Sequence, residues 1–155
     1  MTESHKRRLG YPAFFIAPRP KMIRSIATHI ENNSDLIIGT TLFVGHRPDT
    51  AASNCVALLE RSPGRANPMV PTEIQKPIQL LTRNESYSTG WTEAKATYTI
   101  FFGRDRAGFD LPVLSSGDSE YYVNIVTGSE PAFIGRDVHG NYEFSCNLML
   151  RISEQ

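Results

Sequence analysis

The chain has 155 residues, 40% of them apolar, and its 16 basic and 16 acidic side chains cancel. This length and apolar share predict one folded domain with a sizeable core, and no apolar run approaches the roughly 20 residues that cross a bilayer. We therefore expect no membrane partner. A neutral chain is a poor candidate for general nucleic-acid binding, which depends on neutralising phosphates, but it can associate with its own copies because net repulsion is small.

Residues 1–19 are predicted to form an N-terminal arm because they show neither a helical nor a strand period. They include Tyr11, Phe14 and Phe15 among several prolines. Large apolar side chains on an exposed arm are a liability in a monomer. The arm is therefore expected either to fold back on its own domain or to pack on another chain, and the three aromatic residues are candidate interface residues.

Residues 20–155 are predicted to form a single domain that begins with a helix over residues 20–33. A proline suits the first turn of such a helix. Apolar residues repeat along one side at the spacing of a helix packed on a sheet, and His29 on the other side is expected to be solvated. The apolar face consists of Met22, Ile23, Ile26, Ala27 and Ile30.

Strands are predicted over residues 41–44, 54–60 and 77–83. The second is apolar on both faces, which is typical of a central strand. Residues 62–71 contain three prolines and a glycine. They are therefore predicted to form a long loop with little strand potential, and loops of that length usually have a function or are mobile.

A second helix is predicted over residues 86–102, with Ser86 as N-cap and Gly103 as the glycine that ends it. Gly90 either permits a close approach or weakens the first turn, because glycine costs about 1 kcal/mol relative to alanine in a helix. The apolar face of this helix is expected to pack in the core rather than to stack on nucleic-acid bases. It consists of Tyr87, Trp91, Ala94, Tyr98 and Phe101.

Residues 104–120 are predicted to be a polar loop that leads into a terminal sheet. Residues 121–126, 132–136 and 142–152 are strand-like, and the last run alternates so regularly that one face must be apolar. Residues 137–141 contain Asp, Gly and Asn, which tolerate the positive φ of a hairpin turn. The whole pattern predicts an α+β fold: an antiparallel-rich mixed β-sheet with two main helices packed on one face, long loops and an N-terminal arm.

The sequence contains no evident catalytic or metal-binding constellation. Its four histidines are scattered, and Cys55 and Cys146 are too far apart for zinc-ligand spacing. Both cysteines lie in strand patterns and are interpreted as reduced core thiols, with a disulfide as the minority interpretation. The acidic residues between positions 105 and 120 do not match a calcium loop and are interpreted as solvated. No cofactor or metal is expected.

Three stretches of the chain, in this order, resemble one family. They are TLFVG at 41–45 with PD at 48–49 and NCVALLE at 54–60; PIQLLTR at 77–83 leading into Ser86; and PAFIGRD at 131–137 with GNYEFS at 140–145. Together they are similar to the tail-terminator and minor capsid proteins of long-tailed, siphovirus-type bacteriophages.

This resemblance implies a structural virion protein without catalytic residues. Such a terminator forms a hexameric ring on the last ring of the tail tube, stops tube polymerisation and joins the tail to the head connector. The implied partners are other copies of the chain, the tail tube protein and the head-tail connector or head-completion protein. DNA would pass through the lumen without specific binding. The implied location is the tail-neck junction of the virion, and the host cytoplasm during assembly.

The arm, the two long loops and the terminal turn are the expected contact segments, since a closed ring needs surfaces that fit the next copy. Two alternatives stay open: a head-completion or minor capsid neck protein on the head side, and, less favoured, a small enzyme with a site built from loops. Loop carboxylates near two arginines are the best support for the enzyme. Beyond the arm, the candidate interface residues are Arg65, Asn67, Met69, Arg104, Arg106, Val138 and His139.

Overall fold

A computed structural model describes residues 20–62, 64–102 and 108–155, in which two helices pack against one eight-stranded sheet. Among these residues, no helix is long and apolar enough to cross a membrane. The elements in chain order are α1 Pro20–Asn32, β1 Leu42–Val44, β2 Cys55–Glu60, β3 Arg65–Asn67, β4 Val70–Asn84, α2 Tyr87–Phe101, β5 Phe109–Asp110, β6 Tyr121–Gly128, β7 Ala132–Arg136 and β8 Tyr142–Glu154.

The antiparallel pair β4 and β8 forms the middle of the sheet. The strand order is β1-β2-β4-β8-β6-β5, with β3 paired to β4 and β7 paired to β8. Only the β1–β2 pair is parallel among the described strands. β2 and β3 pair with successive segments of the same edge of β4. In the same way, β6 and β7 pair with successive segments of the same edge of β8. The predicted antiparallel-rich α+β fold is thereby confirmed.

The core lies between the two helices and one face of the sheet. The apolar face predicted for α1 is buried along its whole length. The predicted alternation of β8 is also confirmed, because its residues 144, 146, 148, 150 and 152 are all buried in the core face. Both Cys55 and Cys146 are buried and free, as the core-thiol interpretation predicted.

The face predicted for α2 is partly wrong. Ala94 and Phe101 are buried, but Tyr87 and Trp91 are 48% and 37% exposed. The reason is Gly90, where a Cβ atom would lie 2.7 Å from Cε2 of Phe144. The missing side chain lets the helix approach the sheet closely, so the glycine side of α2 faces inward. The buried line of the helix is Gly90, Ala94, Thr97 and Phe101.

Two predicted loops contain strands. The prediction that 62–71 lacks strands is wrong, because β3 and the start of β4 form a hairpin there, with a turn at Pro68 and Met69. Pro68 lies in the turn and Pro71 in a shift of register, positions at which a missing backbone N–H is tolerated. The predicted loop 104–120 includes β5, which pairs with β6.

His29 is not a solvated surface residue as predicted. Its ring is half-buried, stacks on Phe109 at a centroid distance of 4.3 Å and lies 6.0 Å from the ring of Phe101. Burial lowers the pKa of His29, although the backbone of Ile100 opposes that shift. This histidine therefore joins α1 to the end of α2 and to β5. The predicted α2 terminator Gly103 lies outside the described residues.

Candidate interaction surfaces

Two exposed hairpin tips lie at opposite ends of the β4–β8 pair. The ladder between these strands runs from Glu73 and Ser153 at one end to Asn84 and Tyr142 at the other. Its twelve pairs span about 36 Å at roughly 3.3 Å per residue. The β3–β4 tip extends past the first end and the β7–β8 turn past the second. The subunit therefore presents two different contact regions on opposite poles.

The β3–β4 tip carries the candidates Arg65, Asn67 and Met69. Met69 is 86% exposed, and its backbone N–H donates to Oδ1 of Asn67 at 3.0 Å. Nδ2 of Asn67 donates to Glu73 at 3.3 Å, and Arg151 donates to the same carboxylate at 2.6 and 3.0 Å. These hydrogen bonds, that of Arg151 above all, lower the pKa of Glu73. The tip therefore presents the exposed Met69 side chain next to Asn67 and Glu73, which are held by hydrogen bonds.

The β7–β8 turn is held by Asp137. One carboxylate oxygen accepts hydrogen bonds from the backbone N–H groups of His139 and Asn141, each at 2.9 Å. The other oxygen accepts from Nδ2 of Asn141 at 3.1 Å and lies 3.5 Å from Nη1 of Arg83. Burial alone raises the pKa of Asp137, but these hydrogen bonds and the Arg83 charge outweigh it and lower the pKa. At the apex, Val138 is 95% exposed.

Buried Arg83 connects this turn to the loop between β1 and β2. Its Nη2 donates to the carbonyls of Ala51 and Ala52 at 3.0 and 2.8 Å. A second pair, Arg47 with Glu143 at 2.7 Å, joins the same loop to β8. These contacts tie the turn to this loop beneath the exposed apex.

A third surface, at the free side of β7, was not predicted as an interface. Phe133 and Ile134 are 44% and 55% exposed. The ring of Phe133 meets the rings of Tyr87 and Phe144 at centroid distances of 5.3 and 5.7 Å. The signal in the sequence was three consecutive apolar residues, from Ala132 to Ile134, in a short strand. Strand alternation alone predicts that about half of these side chains face the core, so it does not predict an exposed apolar edge.

The described residues give little support to a catalytic site. A cavity of about 430 Å³ between the end of α2 and β6 is lined mainly by apolar and aromatic side chains, and Nδ2 of its Asn124 donates to Ser153 at 2.6 Å. Burial raises the pKa of the Cys146 thiol to about 11, so it is a poor nucleophile at neutral pH. In residues 20–62, 64–102 and 108–155, no three His, Cys, Asp or Glu side chains are grouped to hold a metal ion.

A family model described as bacteriophage tail terminator protein matches residues 29–154 of the chain. The chain belongs to this family. The resemblance drawn from the sequence is thereby confirmed, and the tail terminator is a structural component of the phage tail and of the virion. No curated protein matches the chain.

The matched span of the tail terminator includes both hairpin tips and the β7 edge, so all three surfaces belong to the family domain. The structure separates the predicted contact residues into two sets: Arg65, Asn67 and Met69 at one pole, and Val138 and His139 at the other. The remaining candidates, Tyr11, Phe14, Phe15, Arg104 and Arg106, lie outside the described residues.

Proposed function

We propose that this tail terminator forms a hexameric ring that caps the tail tube, stops its polymerisation and joins the tail to the head connector. The observation that carries the proposal is the family match together with two unlike, exposed tips at opposite poles of one subunit. A ring between two different partners needs two different axial faces. The match to a terminator family also favours this role over that of a head-side neck protein.

In this arrangement, each tip contacts one axial neighbour of the ring. The β3–β4 tip offers Met69 on a base held by Asn67 and Glu73, and the β7–β8 turn offers Val138 over Asp137. A preorganised apolar side chain supports tight contact because little conformational entropy remains to be lost on binding. One tip meets the tail tube protein and the other meets the connector or head-completion protein.

The sheet face that the helices leave uncovered faces the DNA channel in this proposal. It is mostly polar, and three arginines on it or at its border already pair with carboxylates: Arg151 with Glu73, Arg47 of the β1–β2 loop with Glu143, and buried Arg83 with Asp137 of the turn. Paired guanidinium groups have little charge left to neutralise phosphates, which is the main source of non-specific DNA affinity. Such a lumen lets DNA pass without specific binding.

The N-terminal arm and the segment around Arg104 and Arg106 are proposed as further contacts with neighbouring proteins. The arm offers Tyr11, Phe14 and Phe15 beside four basic or titratable residues at positions 5–8. Deletion of residues 2–17 is expected to impair ring formation or head joining. Unchanged assembly of the truncated protein would show that the arm has no part in either step.

The two tips are tested by supplying Met69→Asp or Val138→Asp variants to a phage that lacks its own terminator. The matched control, Ala96→Asp, adds the same charge on the exposed side of α2. Tail length and head attachment are scored by negative-stain electron microscopy, and ring mass by light scattering. The wild-type ring should have six times the mass of the 17.3-kDa chain.

We expect one tip variant to give overlong tails and the other to give tails of normal length without heads, while both keep the ring. The control should behave like the wild type. Normal, head-joined tails with both tip variants would refute the assignment of the tips. A wild-type protein that stays monomeric even on purified tails would refute the ring itself.

A further inference from the structure

The β1 and β7 edges lie at opposite ends of one row of paired residues that crosses the sheet perpendicular to the strands. The register links Leu42 to Val56, Val56 to Thr82, Thr82 to Phe144 and Phe144 to Phe133. Five strands at about 4.8 Å spacing place the two ends roughly 19 Å apart. A second copy placed beside the first, and rotated only about an axis parallel to β4 and β8, therefore keeps the β7 edge of one subunit level with the β1 edge of the other.

The β7 edge is an exposed strand edge that presents mainly apolar side chains. None of its five residues is buried, and the strand itself contains no lysine or proline. A register shift between Phe133 and Gly135 leaves Ile134 outside the ladder, and Ile134 is 55% exposed. The register shift and Arg136 oppose backbone pairing with another strand, but they leave the apolar side chains accessible. An exposed apolar ridge of this kind is typical of a contact surface.

The β1 edge is different, because its own chain covers the backbone. The N–H of Leu42 donates to the carbonyl of Ile37 at 2.9 Å, and the carbonyl of Leu42 accepts from Gly39 at 2.8 Å. A strand from another copy therefore cannot pair with β1 at Leu42. This edge instead offers side chains, in a groove of about 610 Å³ whose apolar lining includes Ile38, Phe43 and Leu114. Ile38 and Leu114 are 39% and 37% exposed.

One exposed charge beside the groove is opposite in sign to one exposed charge beside the β7 edge. The groove is bordered by Arg24, which is exposed on α1. The β7 edge is preceded by Glu130, whose side chain is 63% exposed and pairs with Lys95 of α2. An exposed ion pair of this kind contributes little stability, so Glu130 can turn toward a new cation. Arg136, at the far end of β7, lies over the ring of Tyr142 and away from this rim.

We propose that the occupant of the groove is a second copy of this chain, with Phe133 and Ile134 of one subunit packed against Ile38, Phe43 and Leu114 of the next. The contact is heterologous, so it repeats from copy to copy, and it closes the proposed hexameric ring when each copy is rotated by one sixth of a circle from the last. It is made by side chains rather than by an extension of the sheet. The inference rests on the proposed ring and names the surfaces that close it.

The test uses Ile134→Arg and Leu114→Glu, because both side chains are partly exposed and their replacement leaves the core intact. Each single variant should lower the ring population at least tenfold in light scattering, while the circular dichroism spectrum of the folded subunit stays unchanged. The double variant should restore a large part of the ring, since every contact would then join an arginine to a glutamate. Ala96→Arg, which adds the same charge on the exposed side of α2 and away from the three surfaces, is the matched control and should leave the ring intact.

Cysteine pairs give an independent measurement, since Cys55 and Cys146 are buried. Ile134→Cys combined with Leu114→Cys should give a ladder of cross-linked subunits on non-reducing gels, from rings in solution or from purified tails, whereas neither single variant should. Rings that form normally with both charged variants, or no ladder from intact rings, would overturn this contact and leave the ring itself standing. Cross-linking between two copies of Ile134→Cys alone would show that β7 edges pair with each other. Absence of any wild-type ring would instead refute the proposed function.

Discussion

Replacement of Gly90 by alanine should destabilise the tail terminator, although the same change stabilises most helices. In an unhindered helix interior, glycine to alanine gains about 1 kcal/mol. Here the new methyl group would lie 2.7 Å from Cε2 of Phe144 and 2.9 Å from Cβ of Asn84. Real Cβ atoms essentially never approach other heavy atoms so closely, so either the helix or the ring must move.

The magnitude follows from what surrounds Phe144. Its side chain is fully buried, and the rings of Tyr87, Trp91 and Phe133 lie within 6.2 Å of its own ring centre. Overpacking a site with so little freedom costs typically about 1–3 kcal/mol. With two close contacts we take the upper part of that range, and after the helix gain we expect a net loss of about 1–2 kcal/mol.

Urea unfolding followed by circular dichroism at one protein concentration measures this loss. With a slope of about 2 kcal/mol per molar urea, the midpoint should fall by roughly 0.5–1 M. Thr92→Ala, on the exposed side of α2, is the control and should leave the midpoint unchanged or slightly higher. In a Phe144→Leu background the Gly90→Ala penalty should shrink or change sign, because the clash is relieved. A higher midpoint for Gly90→Ala in the wild-type background would refute the close approach of α2 to the sheet.

Three further outcomes are expected. Asp137→Ala should lower the free energy of unfolding by about 1–3 kcal/mol in urea melts, because two backbone N–H groups lose their acceptor and buried Arg83 loses its counterion; an unchanged midpoint would mean that the turn is held otherwise. The pKa of Asp137 is lowered from 3.8, so the stability from this carboxylate is present above that pH and lost as pH falls through the folded-state pKa. Acid unfolding below about pH 4 should therefore be less steep in Asp137→Asn, and equal slopes would contradict the assignment. Cys55 and Cys146 should react with a thiol reagent at pH 8 only after unfolding, as followed by mass spectrometry; rapid labelling of the native protein would contradict their burial.

The elements with a strong period could be predicted from the sequence. The apolar face of α1 repeats over more than two helical turns, and the alternation of β8 repeats over six apolar positions. One face of each element therefore had to be buried. The Ser86 cap is also confirmed, since its hydroxyl accepts from the N–H of Thr89 at 3.5 Å. The fold class followed from the order of these elements, because a long terminal strand pair needs helices to cover its apolar face.

The predictions that were wrong share a physical cause: they depend on contacts between distant parts of the chain. Pro68 and Pro71 argue against strands locally, but β3 and β4 place them where no ladder donor is needed. The inward side of α2 was misjudged because the position of a helix on a sheet depends on how closely each side can approach, which Gly90 decides. The sequence predicted residues at both tips as contacts, whereas the exposed edge at Phe133 depends on which strand ends the sheet, and periodicity does not determine that.

The central place of β8 has a consequence for how the subunit is made. β8 follows both of its long partners in the chain, and its pairs with β4 join residues 58 to 80 positions apart. Such distant contacts make folding slow, because a long loop must close before the ladder stabilises it. During synthesis, β4 and β6 must wait for β8 to leave the ribosome before the sheet can close. Assembly-competent subunits can therefore appear only after translation of β8, and a premature stop anywhere before residue 142 would leave both halves of the sheet without their shared partner.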